Sequence, residues 1–181
     1  MKVFLQMTKK HFYFLFFILF FSFSFYSQVL SEGYKEIKLG MVMTEVESLI
    51  KSSPEFYSGR EEVLSIRLEP DTQIITAEGT GFIKIAYFHF NEDKLFQIFL
   101  ILSEKKIGYY TLLKRLTTKF GTPSDLDPLR AYWQNATVKI VIEKPCTIKY
   151  LYLPIWNTLL DNNLDERKIL DKIREDFVDD L

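Results

Sequence analysis

The stretch that decides the fold covers residues 82–102 and reads FIKIAYFHF, NEDK and LFQIFLIL in succession. Its two apolar runs, Phe82–Phe90 and Leu95–Leu102, are rich in aromatic and β-branched residues, which favour strands. The polar break Asn91–Lys94 between them is typical of a tight turn. The stretch therefore predicts two antiparallel strands that are neighbours in one sheet.

The second of these runs is apolar on both of its faces. Phe96 and Ile98 begin one alternating set that continues to Leu102, while Phe99 and Ile101 lie in the other set. Since successive side chains of a strand point to opposite faces, this pattern predicts a central strand that is covered on both sides, with Phe96 on the same face as Ile98.

Other parts of the chain carry the same kind of signal. Five further stretches predict strands and bring the expected total to seven: Val63–Leu68, Gln73–Glu78, Ala131–Trp133, Thr137–Glu143 and Lys149–Leu153. A short extended stretch, Tyr34–Leu39, precedes them.

Two helices are expected between these strands. The first begins near Thr44, because Thr44 and Glu47 have the three-residue spacing of a capping box, and it ends at Ser52-Ser53-Pro54. The second covers Tyr109–Phe120 and ends at Gly121-Thr122-Pro123, with glycine just past the helix and proline soon after.

The order of these elements predicts the fold class and the domain organisation. Each of two units, residues 34–103 and 108–153, has a short helix followed by an antiparallel meander. We therefore expect one α+β domain over residues 28–153, with the two short helices on one face of the sheet. Residues 154–181 are dense in charge and predict a C-terminal amphipathic helix.

The first 27 residues predict an exported protein. Lys2, Lys9 and Lys10 precede an apolar run from Phe12 to Tyr26, and no acidic residue occurs before Glu32. This is the pattern of a secretory signal peptide, and we expect a mature chain that begins between Phe25 and Val29. The alternative is an uncleaved anchor, although the run of 15 residues is shorter than the roughly 20 that normally span a bilayer. The expected location is periplasmic or secreted, or anchored in the inner membrane through residues 12–27.

The composition of the mature chain limits its partners. Without the three lysines of the leader, 20 basic and 24 acidic residues remain, a net charge of −4 with histidine neutral. A mildly acidic chain without basic clusters argues against nucleic acid as a partner. Cys146 is the chain's one cysteine, so no intramolecular disulfide can form, and its phase with Ile148 predicts that it is buried.

No combination of residues in the sequence indicates catalysis, a metal site or a cofactor. His89 is the one histidine after the leader, and it has no histidine or cysteine at ligand spacing. The carboxylate pairs Glu61-Glu62 and Asp179-Asp180 are adjacent in sequence, so their side chains diverge in a strand and in a helix alike. Gly79-Thr80-Gly81 lacks the following helix that a phosphate-binding loop requires. We expect a protein that is not an enzyme.

Aromatic residues are concentrated near the end of the second meander. Tyrosine and tryptophan are enriched in binding surfaces, because they provide a large contact area at low entropic cost. The candidate contact residues for a partner are Tyr132, Trp133, Tyr150, Tyr152 and Trp156. The same residues could instead fill the core.

The C-terminal segment carries an apolar stripe at helical spacing. Its members are Leu164, Ile169, Leu170, Ile173, Phe177 and Leu181. Such a stripe packs either on the chain's own sheet or in the groove of a partner.

Several motifs resemble known families. Gly33–Met41 with Thr44-Glu45-Val46 resembles the opening of small exported helix-plus-meander domains, which include the outer-membrane assembly lipoprotein BamE and the repeats of the β-lactamase inhibitor protein. Gly79–Phe90, Lys119–Pro123 and Lys144–Tyr150 are similar to blocks of an uncharacterised exported family of spirochaete-type bacteria. These resemblances imply an α+β sheet with helices on one face, and the first implies that the domain binds other proteins.

Three functions are consistent with the sequence. The leading hypothesis is a non-enzymatic periplasmic or envelope protein that binds another envelope or secreted protein. The second is a domain that binds a small ligand or a lipid in a cavity between sheet and helices. The third is an envelope protein that remains anchored by its uncleaved N-terminal segment, which is where a membrane contact is expected.

Truncation after Asn163 tests where the apolar stripe packs. If Ile173 and Phe177 lie on the domain, each contributes roughly 1.5–3 kcal/mol when fully buried, out of a typical total stability of about 5–15 kcal/mol. We therefore expect the truncated protein to melt at a clearly lower temperature in calorimetry. An unchanged melting temperature would instead assign residues 169–181 to the contact with a partner.

Overall fold

The structure is a computed structural model that describes residues 30–57, 64–69 and 72–161. The leader, the pair Glu61-Glu62 and the C-terminal stripe from Leu164 onward lie outside the described residues. The expectations for these segments stay predictions.

The described residues form three helices and ten strands. The helices are α1 (Met43–Ser52), α2 (Tyr109–Phe120) and α3 (residues 153–161). The strands of the first half are β1 (Gly33–Tyr34), β2 (Ile37–Lys38), β3 (Leu64–Glu69), β4 (Thr72–Glu78), β5 (Ile83–Asn91) and β6 (Lys94–Leu102). Those of the second half are β7 (Asp125–Leu126), β8 (Arg130–Gln134), β9 (Val138–Glu143) and β10 (Thr147–Tyr152).

Eight of these strands make one antiparallel sheet in the order β3-β4-β5-β6-β10-β9-β8-β7. Each predicted unit provides a meander of four strands, and the last strands of the two meanders, β6 and β10, pair with each other. The α+β class is confirmed. All of the seven predicted strands are present, and the eighth, β7, is a two-residue edge strand without an apolar pattern. The extended stretch before α1 is a separate hairpin of β1 and β2.

The main core lies between the sheet and helices α1 and α2. Val46 and Ile50 of α1 and Leu112 and Phe120 of α2 are buried in one cluster with strand residues. The strand contribution includes Ile75, Ala86, Phe88, Ile98, Leu100, Ile140, Ile142, Ile148 and Tyr150. Both helices therefore cover the same side of the sheet, which we call the first face, as expected.

Strand β6 is central, as its sequence predicts, and its first-face residues are buried. On the second face, Phe96 and Gln97 are buried but Phe99 and Ile101 are only partly buried, so the predicted cover on both sides holds for one half of the strand. The predicted phase of Phe96 is wrong, however. His89 is opposite Gln97, whereas the next pair is Phe90 with Leu95, so Phe96 is an extra residue on β6. A bulge of this kind re-aims one side chain. Leu95 belongs to the first-face core, and Phe96 contacts His89 on the opposite, second face.

The N-terminus of α1 is capped by a residue far away in sequence. The predicted capping box of Thr44 and Glu47 is wrong, because α1 begins at Met43 and its N-cap residue, Val42, makes no side-chain cap bond. The amide of Met43 instead donates to Oδ1 of Asp93 at 3.1 Å. Negative charge at a helix N-terminus is favourable, so this bond fixes α1 to the β5–β6 turn.

The β5–β6 turn has a conformation that favours this contact. Its central residues Glu92 and Asp93 have φ angles of 47° and 63°. Positive values at both positions are the requirement of the two-residue hairpin turn that best matches strand twist. Aspartate and asparagine tolerate this region better than other side chains.

Helix α3 lies on the second face of the sheet. It follows β10 directly, and the ring of its Trp156 stacks on Phe96 with centroids 6.5 Å apart. The described part of the chain therefore has three layers, with α1 and α2 on one side of the sheet and α3 on the other.

Replacement of Asp93 tests the cap. Asp93→Ala removes the acceptor for the Met43 amide and places alanine at a positive φ, so we expect the free energy of unfolding to fall by about 2 kcal/mol. Asp93→Asn is the matched control, because asparagine caps helices about as well and tolerates the same backbone conformation. Chemical denaturation measures both. Equal stability of the two variants would contradict the proposed cap.

Thiol labelling tests the burial of Cys146. Its side chain is 1 % exposed, and Sγ is 3.3 Å from the carbonyl oxygen of Ile107. Burial, with a smaller contribution from Glu104, raises the pKa of the thiol, so little reactive thiolate forms at neutral pH. We expect slow labelling of the native protein by a maleimide and fast labelling after denaturation. Similar rates in the two states would show that the thiol is accessible.

Candidate functional site on the second face of the sheet

The second face carries a row of aromatic and apolar side chains where a solvated sheet face would be polar. Strand register places six residues side by side across six strands, and we call them the aromatic strip: Thr76, Tyr87, Phe99, Lys149, Val141 and Tyr132. Val141 is buried, and the other five are partly exposed. The strip therefore presents ring and aliphatic surface. None of the described helices covers the strip next to Tyr132.

Two lysines lie over rings of the strip. Nζ of Lys139 is 3.8 Å from the ring centroid of Tyr132, and Nζ of Lys149 is 5.1 Å from that of Phe99. Lys149 also forms an ion pair with Glu143 at 2.6 Å. A cation over an aromatic face is attracted to the ring, so both ammonium groups are held at defined positions on the strip.

His89 belongs to the covered end of the second face. The centroid of its ring lies 5.3 Å from that of Phe99 and 6.3 Å from that of Phe96, and the ring of Trp156 stacks on Phe96. The histidine is thus part of an aromatic cluster beneath α3. This position agrees with the structural role expected for it.

The five aromatic residues predicted as partner contacts do not form one surface. Tyr132 and Trp156 lie on the second face. Trp133 and Tyr150 lie on the first face within the core, 2 % and 7 % exposed, and Tyr152 is opposite Val138 on that same face. The period of two explains the division, because Tyr132 and Trp133 are neighbours in one strand.

The buried members of this group have structural partners. Nε1 of Trp133 donates to the carbonyl oxygen of Gly121 at 2.8 Å and thereby ties β8 to the C-terminus of α2. Burial raises the pKa of Tyr150 to about 12, so its hydroxyl stays neutral at physiological pH. These two residues stabilise the domain from inside.

Tyr132 is the one member of the strip among the predicted contact residues. The other five strip residues were absent from that prediction, and so was Lys139. A signal for them was available, because the alternating set of β6 that includes Phe99 is apolar where solvent contact would favour polar residues. The residues beside Phe99 in the sheet depend on the pairing of β6 with β10. These strands are about fifty residues apart, and no local sequence pattern predicts their pairing.

A second concave region lies between the β1–β2 hairpin and the C-terminal end of α1. It is a groove of about 380 Å³ whose lining includes Tyr34, Ile37, Leu49 and Phe56. Glu55 accepts hydrogen bonds from the Tyr34 hydroxyl and the Lys35 ammonium beside it. Burial, followed by Glu55, raises the pKa of Tyr34, which keeps this hydroxyl protonated as a donor.

The described residues contain no group of three or more histidine, cysteine or carboxylate side chains that could hold a metal ion. Gly79-Thr80-Gly81 leads into strand β5, without a helix N-terminus to receive a phosphate. None of the helices within residues 30–57 and 72–161 is long and apolar enough to cross a membrane.

Comparison with known proteins gives a family. No curated protein and no solved structure matches the chain, so a likeness to BamE or to the β-lactamase inhibitor protein stays a prediction. A family model described as the TP0088 domain matches residues 32–162, which include both meanders, α1, α2 and the start of the C-terminal segment. This match agrees with the resemblance to a spirochaete-type family, and the chain belongs to the TP0088 domain family.

Proposed function

We propose that this chain is a non-enzymatic protein-binding module of the bacterial envelope and that its partner contacts the aromatic strip. The observation that carries the proposal is the strip itself, a row across six strands in which Val141 is buried and the rings of Tyr87, Phe99 and Tyr132 are partly exposed. Aromatic residues are enriched at protein interfaces, and the fully buried centre of an interface is apolar.

The electrostatics of the strip also suit a protein surface. Lys139 and Lys149 hold their ammonium groups over rings. Lys149 is already ion-paired with Glu143, so Lys139 is the cation of the strip that is in place before a partner arrives. Fixed cations lower the entropic cost of an ion pair across an interface. We expect a partner with carboxylates around an apolar patch.

The proposed location outside the cytoplasm rests on the leader. Lys2, Lys9 and Lys10 before the apolar run Phe12–Tyr26 support export to the periplasm or beyond, and an uncleaved leader would keep the domain at the inner membrane. The resemblance of Gly33–Met41 to the opening of the BamE and β-lactamase inhibitor protein domains stays a prediction, and it would support a binding role through likeness of fold only.

A small-ligand or lipid-binding domain is the second candidate, and the groove beside α1 favours it. The groove combines apolar walls from Ile37, Leu49 and Phe56 with the Tyr34–Glu55 pair as a polar group. Small-molecule sites are typically concave, mostly apolar and supplied with a few polar groups. Its volume of about 380 Å³ is at the small end of the usual range of about 300–1,000 Å³.

Site-specific photo-crosslinking in the producing cell tests the leading proposal. A crosslinking amino acid replaces Tyr132 on the strip in one variant and Thr118, an exposed residue of α2, in the matched control. We expect an adduct of defined mass with a second protein at position 132 and none at 118. The charge reversal Lys139→Glu, next to Tyr132, should weaken that adduct, because it replaces the fixed cation of the strip.

The same experiment recognises the competing occupant, which is the chain's own C-terminal segment. Crosslinks from position 132 that lead only to residues 162–181 would show that the chain covers its own strip, and the proposal would then fail. Mass spectrometry of the adducts also reads the N-terminus, and a start between Phe25 and Val29 would establish cleavage of the leader.

A further inference from the structure

Exposed apolar side chains are concentrated at one end of the sheet. Among the described residues, six large hydrophobic side chains are exposed, and five of them lie at this end, either on connections or where α2 begins and β7 ends: Tyr57, Phe82, Tyr110, Leu126 and Leu129, with exposed fractions of 57–70 %. The sixth, Leu160, belongs to α3. Isolated exposed apolar residues are common, whereas a concentration of them indicates an interaction surface.

The antiparallel topology explains why these residues meet. Strands β4, β6, β9 and β7 all end on the same side of the sheet, since Thr147 of β10 is opposite both Ile101 and Glu143, and Arg130 is opposite Glu143. The connections that follow these strands therefore share one end, which we call the loop end. Tyr57 joins them because its amide donates to the carbonyl oxygen of Glu78 at 3.1 Å.

Lysine side chains accompany the exposed residues of the loop end. Nζ of Lys144 lies 3.3 Å from the hydroxyl of Tyr110 and 5.1 Å from the centroid of its ring. Nζ of Lys106 donates to the carbonyl oxygen of Gly81, next to Phe82, at 2.6 Å. Lys84 and Lys105 are exposed nearby, and so are the acidic residues Glu78, Glu104 and Asp125. Arg130, the neighbour of Leu129, is ion-paired with Asp127 at 2.7 Å. Lys106 and Lys144 instead contact a carbonyl oxygen and a tyrosine hydroxyl, so within the described part of the chain they are the cations beside the apolar tips that hold no carboxylate.

The opposite end of the sheet has a different character. Its described turns contain the polar stretches Asn91–Lys94 and Gln134–Thr137, and no large exposed hydrophobic residue of the described chain lies on them. Since the two ends belong to the same sheet, the difference is a property of the loop end and not of the fold as a whole.

We propose that the loop end docks on the surface of a bilayer that contains anionic phospholipid. Tyr110, Phe82 and Leu129 would insert at the level of the headgroups, where aromatic side chains are favoured, while Lys106 and Lys144 would face lipid phosphates. Basic residues near an anionic membrane contribute favourably to binding. This contact is separate from the aromatic strip and does not depend on the proposed function.

The spacing of the tips favours a membrane over a protein partner. Eight strands at about 4.8 Å each span roughly 35 Å, and the exposed side chains stand on separate connections along this width. A protein interface needs a contiguous, well-packed centre. A bilayer surface is flat on this scale and admits individual side chains, so separate tips with lysines between them suit it better.

Vesicle binding tests the proposal with two lipid compositions, phosphatidylcholine alone and phosphatidylcholine mixed with phosphatidylglycerol. We expect the exported form of the protein to bind the anionic vesicles and to bind neutral vesicles much more weakly. The double variant Tyr110→Ser with Leu129→Ser should bind at least about tenfold more weakly, which corresponds to about 1.4 kcal/mol. The matched control is Leu160→Ser, which removes the exposed leucine of α3 and none of the five loop-end side chains, and it should bind as the unchanged protein does.

Hydrogen exchange locates the contact even if the leader itself enters the vesicles. We expect anionic vesicles to slow exchange in residues 79–82 and 103–110 and to leave residues 134–138 unchanged. No protection of the loop end, or equal binding by the double variant and the control, would overturn the proposal. A different result would identify the loop end as a protein contact: vesicles would not slow exchange there, and a crosslink from the loop end to a protein would be lost in the double variant. If only the crosslink at position 132 failed to form, the proposed function would be contradicted and the membrane contact would not be affected.

Discussion

The pairing of β6 with β10 is the interaction on which the rest of the structure depends. It joins two four-stranded meanders into one sheet through a register that places Ile98 opposite Tyr150 and Leu100 opposite Ile148. The first-face core is continuous because of it, since Ile98 and Ile140 lie on either side of Tyr150. The second face depends on the same register, because Phe99 of one meander lies opposite Lys149 of the other. The aromatic strip would not exist in either half alone.

The sequence predicted those parts of the fold that arise from local patterns. The limits of α2 were predicted correctly, because helical spacing and a glycine–proline ending coincide at Phe120 and Gly121. Strands β5 and β6 were predicted to within one residue at each end. The errors concern contacts between distant residues. Asp93 replaced the capping box because the β5–β6 turn approaches the start of α1, and a bulge turned Phe96 to the other face.

The candidate site shows the same distinction between local and distant information. The aromatic residues near the end of the second meander are close together in sequence, but the strand period divides them between the two faces of the sheet. Trp133 and Tyr150 became core residues, while Tyr132 joined Phe99 and Tyr87 from the other meander. The loop end is a still more distant juxtaposition, since Tyr57, Phe82, Tyr110 and Leu129 come from four separate segments. Only the topology of the sheet reveals that these residues share one end of it.

The pairing of β6 with β10 also has a consequence for the rate of folding. About fifty residues separate the two strands, so β6 has an unpaired edge until the second meander arrives. Pairings of this range are slow to form, because loop-closure entropy must be overcome first. An open, apolar strand edge is meanwhile a template for pairing with other chains. A newly synthesised chain would therefore pass through a half-folded state with an unpaired apolar strand edge, and the rate at which β10 pairs with β6 sets how long that state is exposed to aggregation.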